Sequence, residues 1–185
     1  MSTASRLSEL TGDYVFDTAR TRIAFVARHT LSTRVRGQFD AFTGGAHLDG
    51  DQPSASHVWL TVQAASIRTG NRQRDALLRG KFLDTDAHPT LGFTSTEVAQ
   101  VDDAHYKVTG DLSVREVNRQ VTLDAVLTGS ESDAHGGLRV DFRGGVTVHR
   151  KDWGVDWNAA TTLMIASKVL LEFDVTAIRG ATCAS

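Results

Sequence analysis

The chain alternates apolar and polar residues along eight separate stretches. Between residues 138 and 149, apolar residues or glycine stand at every even position, while charged or small residues stand at the odd ones. Side chains of a strand point to its two faces in turn, so this stretch predicts a strand with one apolar face. Comparable rows begin near residues 23, 35, 58, 91, 106, 121 and 169. The pattern therefore predicts an all-β protein.

Eight strands with one apolar face each must cover that face. An eight-stranded antiparallel barrel does so and leaves no open sheet edge, which favours the barrel. A two-sheet sandwich is the alternative. Rows of ten residues would extend about 30 Å, which is long for a sandwich of this mass.

Turn residues separate the predicted strands. The turns are expected at Gly44-Gly45, Asp49-Gly50-Asp51, Asp102-Asp103 and His135-Gly136-Gly137. Phe39 and Phe42 are three residues apart, an odd step that predicts a bulge where the second strand bends.

One segment breaks the strand period. Residues 71–79 are good helix formers, with a cap at Thr69 or Asn71 and a stop at Gly80. They predict a short surface helix near one end of the barrel. Residues 5–10 predict one or two further helical turns.

Length and composition indicate one domain over residues 13–180, with an N-terminal extension at 1–12 and a tail at 181–185. A net charge of -2 and scattered arginines argue against nucleic-acid binding. No stretch has the apolar length of a membrane span. Residues 1–12 lack the apolar run of a secretion signal, and Cys183 is the only cysteine, so we expect a cytoplasmic protein.

Candidate catalytic groups are sparse. The seven histidines show no metal-binding spacing, and the sequence predicts no metal site, no catalytic residues and no cofactor other than a bound lipid. His29 alone shares the inward parity of Phe25 and Ala27. It is interpreted as a rim histidine bonded to backbone, a contact for a ligand head group, or an acid or base. For Asp75, capping or pairing with Arg74 is favoured over acid catalysis.

The most unusual local sequence is residues 150–157, RKDWGVDW. Trp153 and Trp157 would form an amphipathic lip at a barrel end, and Arg150 and Asp152 would pair. A packed structural role and direct ligand contact both remain open for the two tryptophans.

The chain resembles the YceI-like family of lipocalin-like barrels, which are associated with binding polyisoprenoid lipids. The matching pieces span nearly the whole chain in order: Ile23-x-Phe25-x-x-x-His29, Arg36-Gly37-x-Phe39, residues 66–71 (SIRTGN), Arg74-Asp75-x-Leu77-Leu78, residues 88–96 around His88-Pro89, residues 110–115 (GDLSVR), and Arg150-x-Asp152-Trp153-Gly154. The resemblance implies a lipid-binding barrel and no catalytic residues.

A barrel of eight strands is near the size at which the lumen either fills or holds one ligand. Inward Gly37, Gly110 and Gly144 would remove volume from the wall. The predicted cavity wall comprises Phe25, Phe39, Leu60, Phe93, Leu112, Leu123, Phe142 and Phe173, with His29, Trp153 and Trp157 at the rim. A dry, packed core is the alternative.

The leading hypothesis is binding, sequestration or transport of an apolar amphiphile, either an isoprenoid or quinone type or a fatty lipid. A small-molecule enzyme using the same cavity, with His29 as base, is the second hypothesis. The third is a protein-interaction barrel with a packed core, for which Trp59 and Leu170 at outward positions are the only hints. A homodimer is compatible with all three.

Overall fold

The chain folds into one antiparallel sheet that closes on itself. The structure is a computed structural model that describes residues 7–29, 34–155 and 165–180, with the side chains of 28, 29, 165 and 166 left out. The described strands are β1 (Gly12–Phe16), β2 (Arg22–His29), β3 (Arg34–Phe39), β4 (Phe42–Leu48), β5 (His57–Gln63), β6 (Ile67–Arg68), β7 (Thr90–Gln100), β8 (His105–Val114), β9 (Val117–Ser132), β10 (Leu138–His149) and β11 (Ile165–Arg179).

Eight of these strands form a closed ring, in the order β1-β4-β5-β7-β8-β9-β10-β11. The ring closes because β11 also pairs with β1, with Tyr14 opposite Arg179 and Phe16 opposite Ala177. The predicted eight-stranded antiparallel barrel is confirmed. Strands β2, β3 and β6 extend from β11 in that order, and β2 shares the edge of β11 that β1 occupies further along.

The second predicted strand is broken rather than bulged. Strand β3 ends at Phe39 and β4 begins at Phe42. The break shifts by one residue which side chains point into the barrel. Phe42 is therefore buried, and Ala41, which continues the predicted inward row from residue 35, is exposed. The predicted turn at Gly44-Gly45 is wrong, because both glycines lie within β4 and are paired to β5.

The predicted helix is present, but it is shorter than predicted and ends at a different residue. Helix α1 spans Arg72–Leu77, and the side chain of Asn71 caps it by accepting a 3.0 Å hydrogen bond from Arg74 N. The chain then continues through a π-helical turn, Leu78–Phe82, that passes Gly80 instead of stopping there. The N-terminal helical segment is a 3-10 turn at Leu7–Leu10. The helices described here are too short and too polar to cross a membrane.

The barrel has two distinct ends. The end we call the α1 end carries α1, the β8–β9 turn and a 3-10 turn at Arg150–Trp153. The opposite, N-terminal end carries the turn Leu7–Leu10 and the start of β1. A buried apolar cluster lies at each end of the lumen, one around Phe82 and Trp153, the other around Leu10 and Tyr14.

Candidate ligand-binding cavity

The barrel encloses an apolar cavity of about 320 Å³. This volume lies at the lower end of the range of roughly 300–1,000 Å³ found for small-molecule sites. Its lining is almost wholly aliphatic and aromatic. The lumen of the described barrel is therefore not a fully packed core.

All eight residues predicted for the cavity wall line this one cavity. They come from eight strands, one residue from each: Phe25, Phe39, Leu60, Phe93, Leu112, Leu123, Phe142 and Phe173. Strand alternation brings them together, since each sits at the inward parity of its strand. Their role in ligand binding stays a prediction.

Sequence reasoning missed a second set of lining residues, which come from the segment after β6. Leu78, Phe82 and Leu83 line the cavity from α1 and the π turn. Among the described residues, β3 pairs with β6 only at Gln38 and Phe39, and no strand pairs with its first half on that side. The apolar residues of α1 and the π turn follow a helical spacing. That spacing does not indicate which surface of the barrel they cover.

The wall glycines act differently from the prediction. Instead of only removing volume, they lie beneath phenylalanine rings of neighbouring strands. A Cβ at Gly110 would lie 2.7 Å from Phe93 Cζ, and a Cβ at Gly144 would lie 2.8 Å from Phe173 Cζ. The absent Cβ atoms let these rings lie flat along the wall, which keeps the lumen open.

The N-terminal end of the barrel is closed by packing and hydrogen bonds. The buried Tyr14 hydroxyl donates to Leu10 O at 2.7 Å, and Arg179 Nη1 donates to Glu9 O at 2.8 Å and to Thr11 O at 2.9 Å. Burial raises the pKa of the Tyr14 phenol, and the positive charge of Arg179 partly opposes this effect. These contacts seal the lumen here.

A smaller cavity of about 70 Å³ lies between the main one and the N-terminal turn. The two cavities share Val108, Ala125 and Phe142 as lining residues. Tyr106 and Phe142 meet edge to face at 6.2 Å between ring centroids. Burial, together with the nearby Asp103 and Asp102, raises the pKa of Tyr106, so its phenol is neutral at physiological pH. Phe142 lines both cavities, whereas Tyr106 lines only the smaller one.

Arg150 and Trp153 line the cavity at the α1 end. Trp153 is 4% exposed, and its Nε1 donates to Leu112 O at 2.8 Å. It therefore lines the cavity from inside rather than forming an exposed lip. The guanidinium of the buried Arg150 lies 5.9 Å from the centre of the Phe82 ring, and its Nη1 donates to Val155 O at 2.7 Å.

Two further rim candidates have no described side chain. His29 is the last residue of β2, where its backbone pairs with Ile165. Trp157 lies outside the described residues. The predicted Arg74–Asp75 pair is indirect: Arg74 Nε donates to Thr69 Oγ1 at 2.8 Å, and Asp75 Oδ1 accepts from Thr69 N at 2.9 Å.

Two histidines on the outer surface are paired with neighbouring aspartates. His47 Nδ1 contacts Asp13 at 2.8 Å, and His105 Nδ1 contacts Asp102 at 2.7 Å. Across the described ranges, no group of three or more His, Cys, Asp or Glu side chains is arranged to hold a metal ion. Among the described residues, the apolar cavity is therefore the candidate ligand site.

A closed eight-stranded antiparallel barrel around one apolar cavity defines a lipocalin-like barrel protein. The sequence matches the YceI-like domain over residues 14–177, and the chain belongs to that family. A UPF0312 protein of Pectobacterium carotovorum is 36% identical over 155 residues, covering 82% of this chain and 80% of the relative.

Solved structures show the same fold. BcnA of Burkholderia cenocepacia superposes with a TM-score of 0.79 at 20% identity, covering 87% of this chain and 98% of BcnA. A polyisoprenoid binding domain from Saccharophagus degradans, implicated in plant cell wall breakdown, superposes with a TM-score of 0.69 at 16% identity. That likeness covers 90% of this chain and 98% of the domain.

Proposed function

We propose that this protein binds an apolar amphiphile in its barrel cavity and sequesters or carries it. The ligand is of the isoprenoid or quinone type, or a fatty lipid. The observation that carries the proposal is the 320 Å³ cavity with its nearly continuous apolar lining. The polyisoprenoid binding of the Saccharophagus degradans domain supports it.

The energetics favour a long apolar tail. Burying hydrocarbon contributes about 0.8 kcal/mol per CH₂ group, before the cost of ordering the ligand. A tail of about ten such groups supplies roughly the 8 kcal/mol that corresponds to micromolar affinity, before that cost and without polar contacts. The wall therefore needs shape and apolar surface, which the inward rows of β7–β11 provide.

Mass spectrometry of small molecules extracted from the natively purified protein tests the proposal. We expect an apolar chain in fixed stoichiometry. A ligand-free protein that also fails to take up added quinones and fatty acids would overturn it.

A cavity-filling variant gives a second test. Leu123→Trp places a larger side chain in the cavity, and we expect a loss of bound lipid. Thr122→Trp is the matched control, because Thr122 is the exposed neighbour on β9. Circular dichroism establishes that both variants are folded, and equal lipid retention in two folded variants would contradict the proposal.

The His29→Ala variant separates binding from the enzymatic alternative. We expect His29→Ala to keep its lipid, since the apolar wall supplies most of the affinity. A turnover detected in the wild type and lost in this variant would instead support catalysis with His29 as base.

Cytoplasmic location and homodimerisation stay predictions. Trp59 and Leu170, at the outward positions named for an interaction surface, are 44% and 37% exposed. Cell fractionation tests the first prediction, and light scattering coupled to gel filtration tests the second.

A further inference from the structure

Charge is distributed unevenly between the two ends of the barrel. At the N-terminal end, the connections 7–11, 49–56, 101–104 and 133–137 contain neither Lys nor Arg, and their carboxylates are Glu9, Asp49, Asp51, Asp102, Asp103 and Asp133. At the α1 end, Lys and Arg outnumber Asp and Glu in the described connections 69–89, 115–116 and 150–155. The barrel is therefore polarised along its axis, although its formal net charge is only -2.

The two ends also differ in whether their cations are neutralised. Towards the N-terminal end, Lys107 Nζ lies 2.9 Å from Asp124 Oδ1, and Arg139 Nη2 lies 2.6 Å from Glu131 Oε2. At the α1 end, several exposed cations form no ion pair with any other described residue: Arg34, Arg36, Arg72, Lys81, Lys151 and Lys168. The positive charge of this end is therefore available to a partner.

Three of these cations surround two apolar side chains on the outer face of β11, β2 and β3. The strand register places Leu170 opposite Val26, and Val26 opposite Arg36. Side chains two residues apart on a strand share a face, so Lys168 lies on the same face as Leu170, and Arg34 on the same face as Arg36. Leu170 is 37% exposed and Val26 is half-buried. We call these five residues the basic-apolar patch.

The basic-apolar patch lies at the α1 end of the barrel. Lys168 is opposite His149, the last residue of β10 before the 3-10 turn of that end. Helix α1 follows β6, which pairs with β3, and it carries the same combination of side chains. Leu77 is 44% exposed, and Arg72 and Lys81 are exposed before and after it. The end of the barrel is therefore amphipathic as well as cationic.

We propose that the α1 end docks on the surface of an anionic phospholipid bilayer, with the basic-apolar patch facing the lipid head groups. Binding to such a surface combines attraction of Lys and Arg to anionic lipids with burial of apolar side chains. Each Lys or Arg near the surface strengthens binding about fivefold. The acidic N-terminal end then points away from the bilayer, so the charge distribution also orients the barrel.

The apolar part of the patch favours a bilayer over nucleic acid. A phosphate backbone offers charge to the cations but no apolar surface to Leu170 and Val26. The exposed acids of the α1 end, Asp86, Glu116 and Asp152, lie outside β11, β2 and β3. Docking goes beyond ligand binding in the cavity, and it holds whether the cavity is occupied or empty.

Co-sedimentation of the full-length protein with vesicles tests the proposal. We expect the wild type to bind vesicles of equal parts phosphatidylcholine and phosphatidylglycerol, and to stay in solution with vesicles of phosphatidylcholine alone. Binding to the anionic vesicles should weaken steeply as sodium chloride is added, because salt screens the attraction between exposed charges.

Two variants with the same net charge locate the contact. The test variant replaces the three cations of the patch: Arg34→Gln, Arg36→Gln and Lys168→Gln. We expect it to bind anionic vesicles more weakly by about tenfold or more. The control variant replaces three ion-paired cations outside the patch: Lys107→Gln, Arg139→Gln and Arg143→Gln. It should bind nearly as tightly as the wild type, because charges beyond a Debye length from the bilayer are screened. Thermal unfolding checks that both variants are folded.

Three results would overturn the proposal. Equal losses in the two folded variants would mean that net charge, and not the patch, governs binding. Equal binding to neutral and anionic vesicles would remove the role of the cations. Absence of binding to anionic vesicles, with binding to duplex DNA or with a dimer that the test variant disrupts, would assign the patch to nucleic acid or to a second copy of the chain. The lipid content of the purified protein is measured separately, so failure of docking and failure of the proposed function are distinguishable.

Discussion

Phe173 on β11 lies directly opposite Gly144 on β10, and its ring occupies the space that a side chain at position 144 would take. The same arrangement recurs where Phe25 lies over Gly37, its partner in register on β3. In both pairs the phenylalanine side chain reaches across to the neighbouring strand. Glycine opposite phenylalanine therefore leaves room for the ring within the wall of the barrel.

The Gly144→Ala variant should lose stability. Its Cβ would collide with the Asp124 backbone carbonyl as well as with the Phe173 ring, so a rotamer change of Phe173 cannot relieve the clash. We expect a loss of about 1–3 kcal/mol in the free energy of unfolding, as for other overpacked cores. Urea unfolding measures it.

Gly92→Ala on β7 is the control for this prediction. A Cβ there would meet only Leu60 O within 4 Å, at 3.8 Å. We expect this variant to be as stable as the wild type or slightly more stable, since alanine is less flexible in the unfolded chain. Equal losses in the two variants would contradict the role assigned to the Phe173–Gly144 contact.

The Phe142→Ala variant should lengthen the preferred ligand. Phe142 lines both cavities, so removing its ring joins about 70 Å³ to the main lumen of about 320 Å³. In a series of saturated fatty acids, we expect the tightest binding to move to a longer chain by a few carbons. Dissociation constants measured by displacement of a fluorescent fatty acid give the comparison.

Phe39→Ala serves as the control for Phe142→Ala, because Phe39 lines the main cavity and not the smaller one. Both substitutions delete a partly buried ring and cost up to about 3–5 kcal/mol of stability. Unfolding curves must therefore accompany the binding data, and Phe142→Leu provides a milder version. An unchanged optimum in folded Phe142→Ala would show that the two cavities do not communicate.

Ligand binding should change the fluorescence of Trp153. Trp153 is buried at the cavity wall, whereas Trp59 is 44% exposed on the outer face of the barrel. We expect addition of a fatty acid to shift the emission of the wild type and of Trp59→Phe. In a Trp157→Phe background, which removes the third tryptophan of the chain, the shift should largely disappear in Trp153→Phe.

The Trp153→Phe variant should also be slightly less stable. It loses the hydrogen bond from Nε1 to Leu112 O, which contributes about 1 kcal/mol. Full retention of the fluorescence response in this variant would place the ligand away from the α1 end.

The Asp133→Asn variant tests a pH-dependent contribution from the β9–β10 hairpin. Backbone N–H groups of Gly137 and His135 donate to the Asp133 carboxylate at 2.8 Å each and lower its pKa below the ordinary value of 3.8. A carboxyl that binds protons less tightly in the folded state stabilises that state above pH 3.8. This stabilisation disappears as the pH falls through the lowered pKa.

We therefore expect Asp133→Asn to melt at a lower temperature than the wild type at pH 7. The two melting temperatures should converge as the pH falls below 3.8. Asp103→Asn is the control, since Asp103 is an exposed hairpin carboxylate that accepts no hydrogen bond within the described part of the chain. A difference for Asp133→Asn that is the same at all pH values would contradict the assignment.

Local patterning along the chain was enough to predict the barrel and the residues that face its lumen. Strand alternation is a local property with a period of two, so Phe93 and Leu123 could be placed on the inner wall without knowledge of their neighbours. The match over residues 14–177 agrees with motifs that are readable in the chain from Ile23 to Gly154.

How the lumen is filled and closed depends on contacts between distant parts of the chain, which no local pattern reveals. The break between Phe39 and Phe42 reverses the facing of β4, and the partners across the sheet determine which residue is then buried. From the sequence alone, the wall glycines predict gaps in the wall. The sequence does not show which rings cover them. Whether Leu78, Phe82 and Trp153 turn towards the cavity depends on how two short helical turns dock on the barrel end, since such contacts join residues distant in sequence. Cavity volume is likewise a sum over all strands, and no local pattern encodes it.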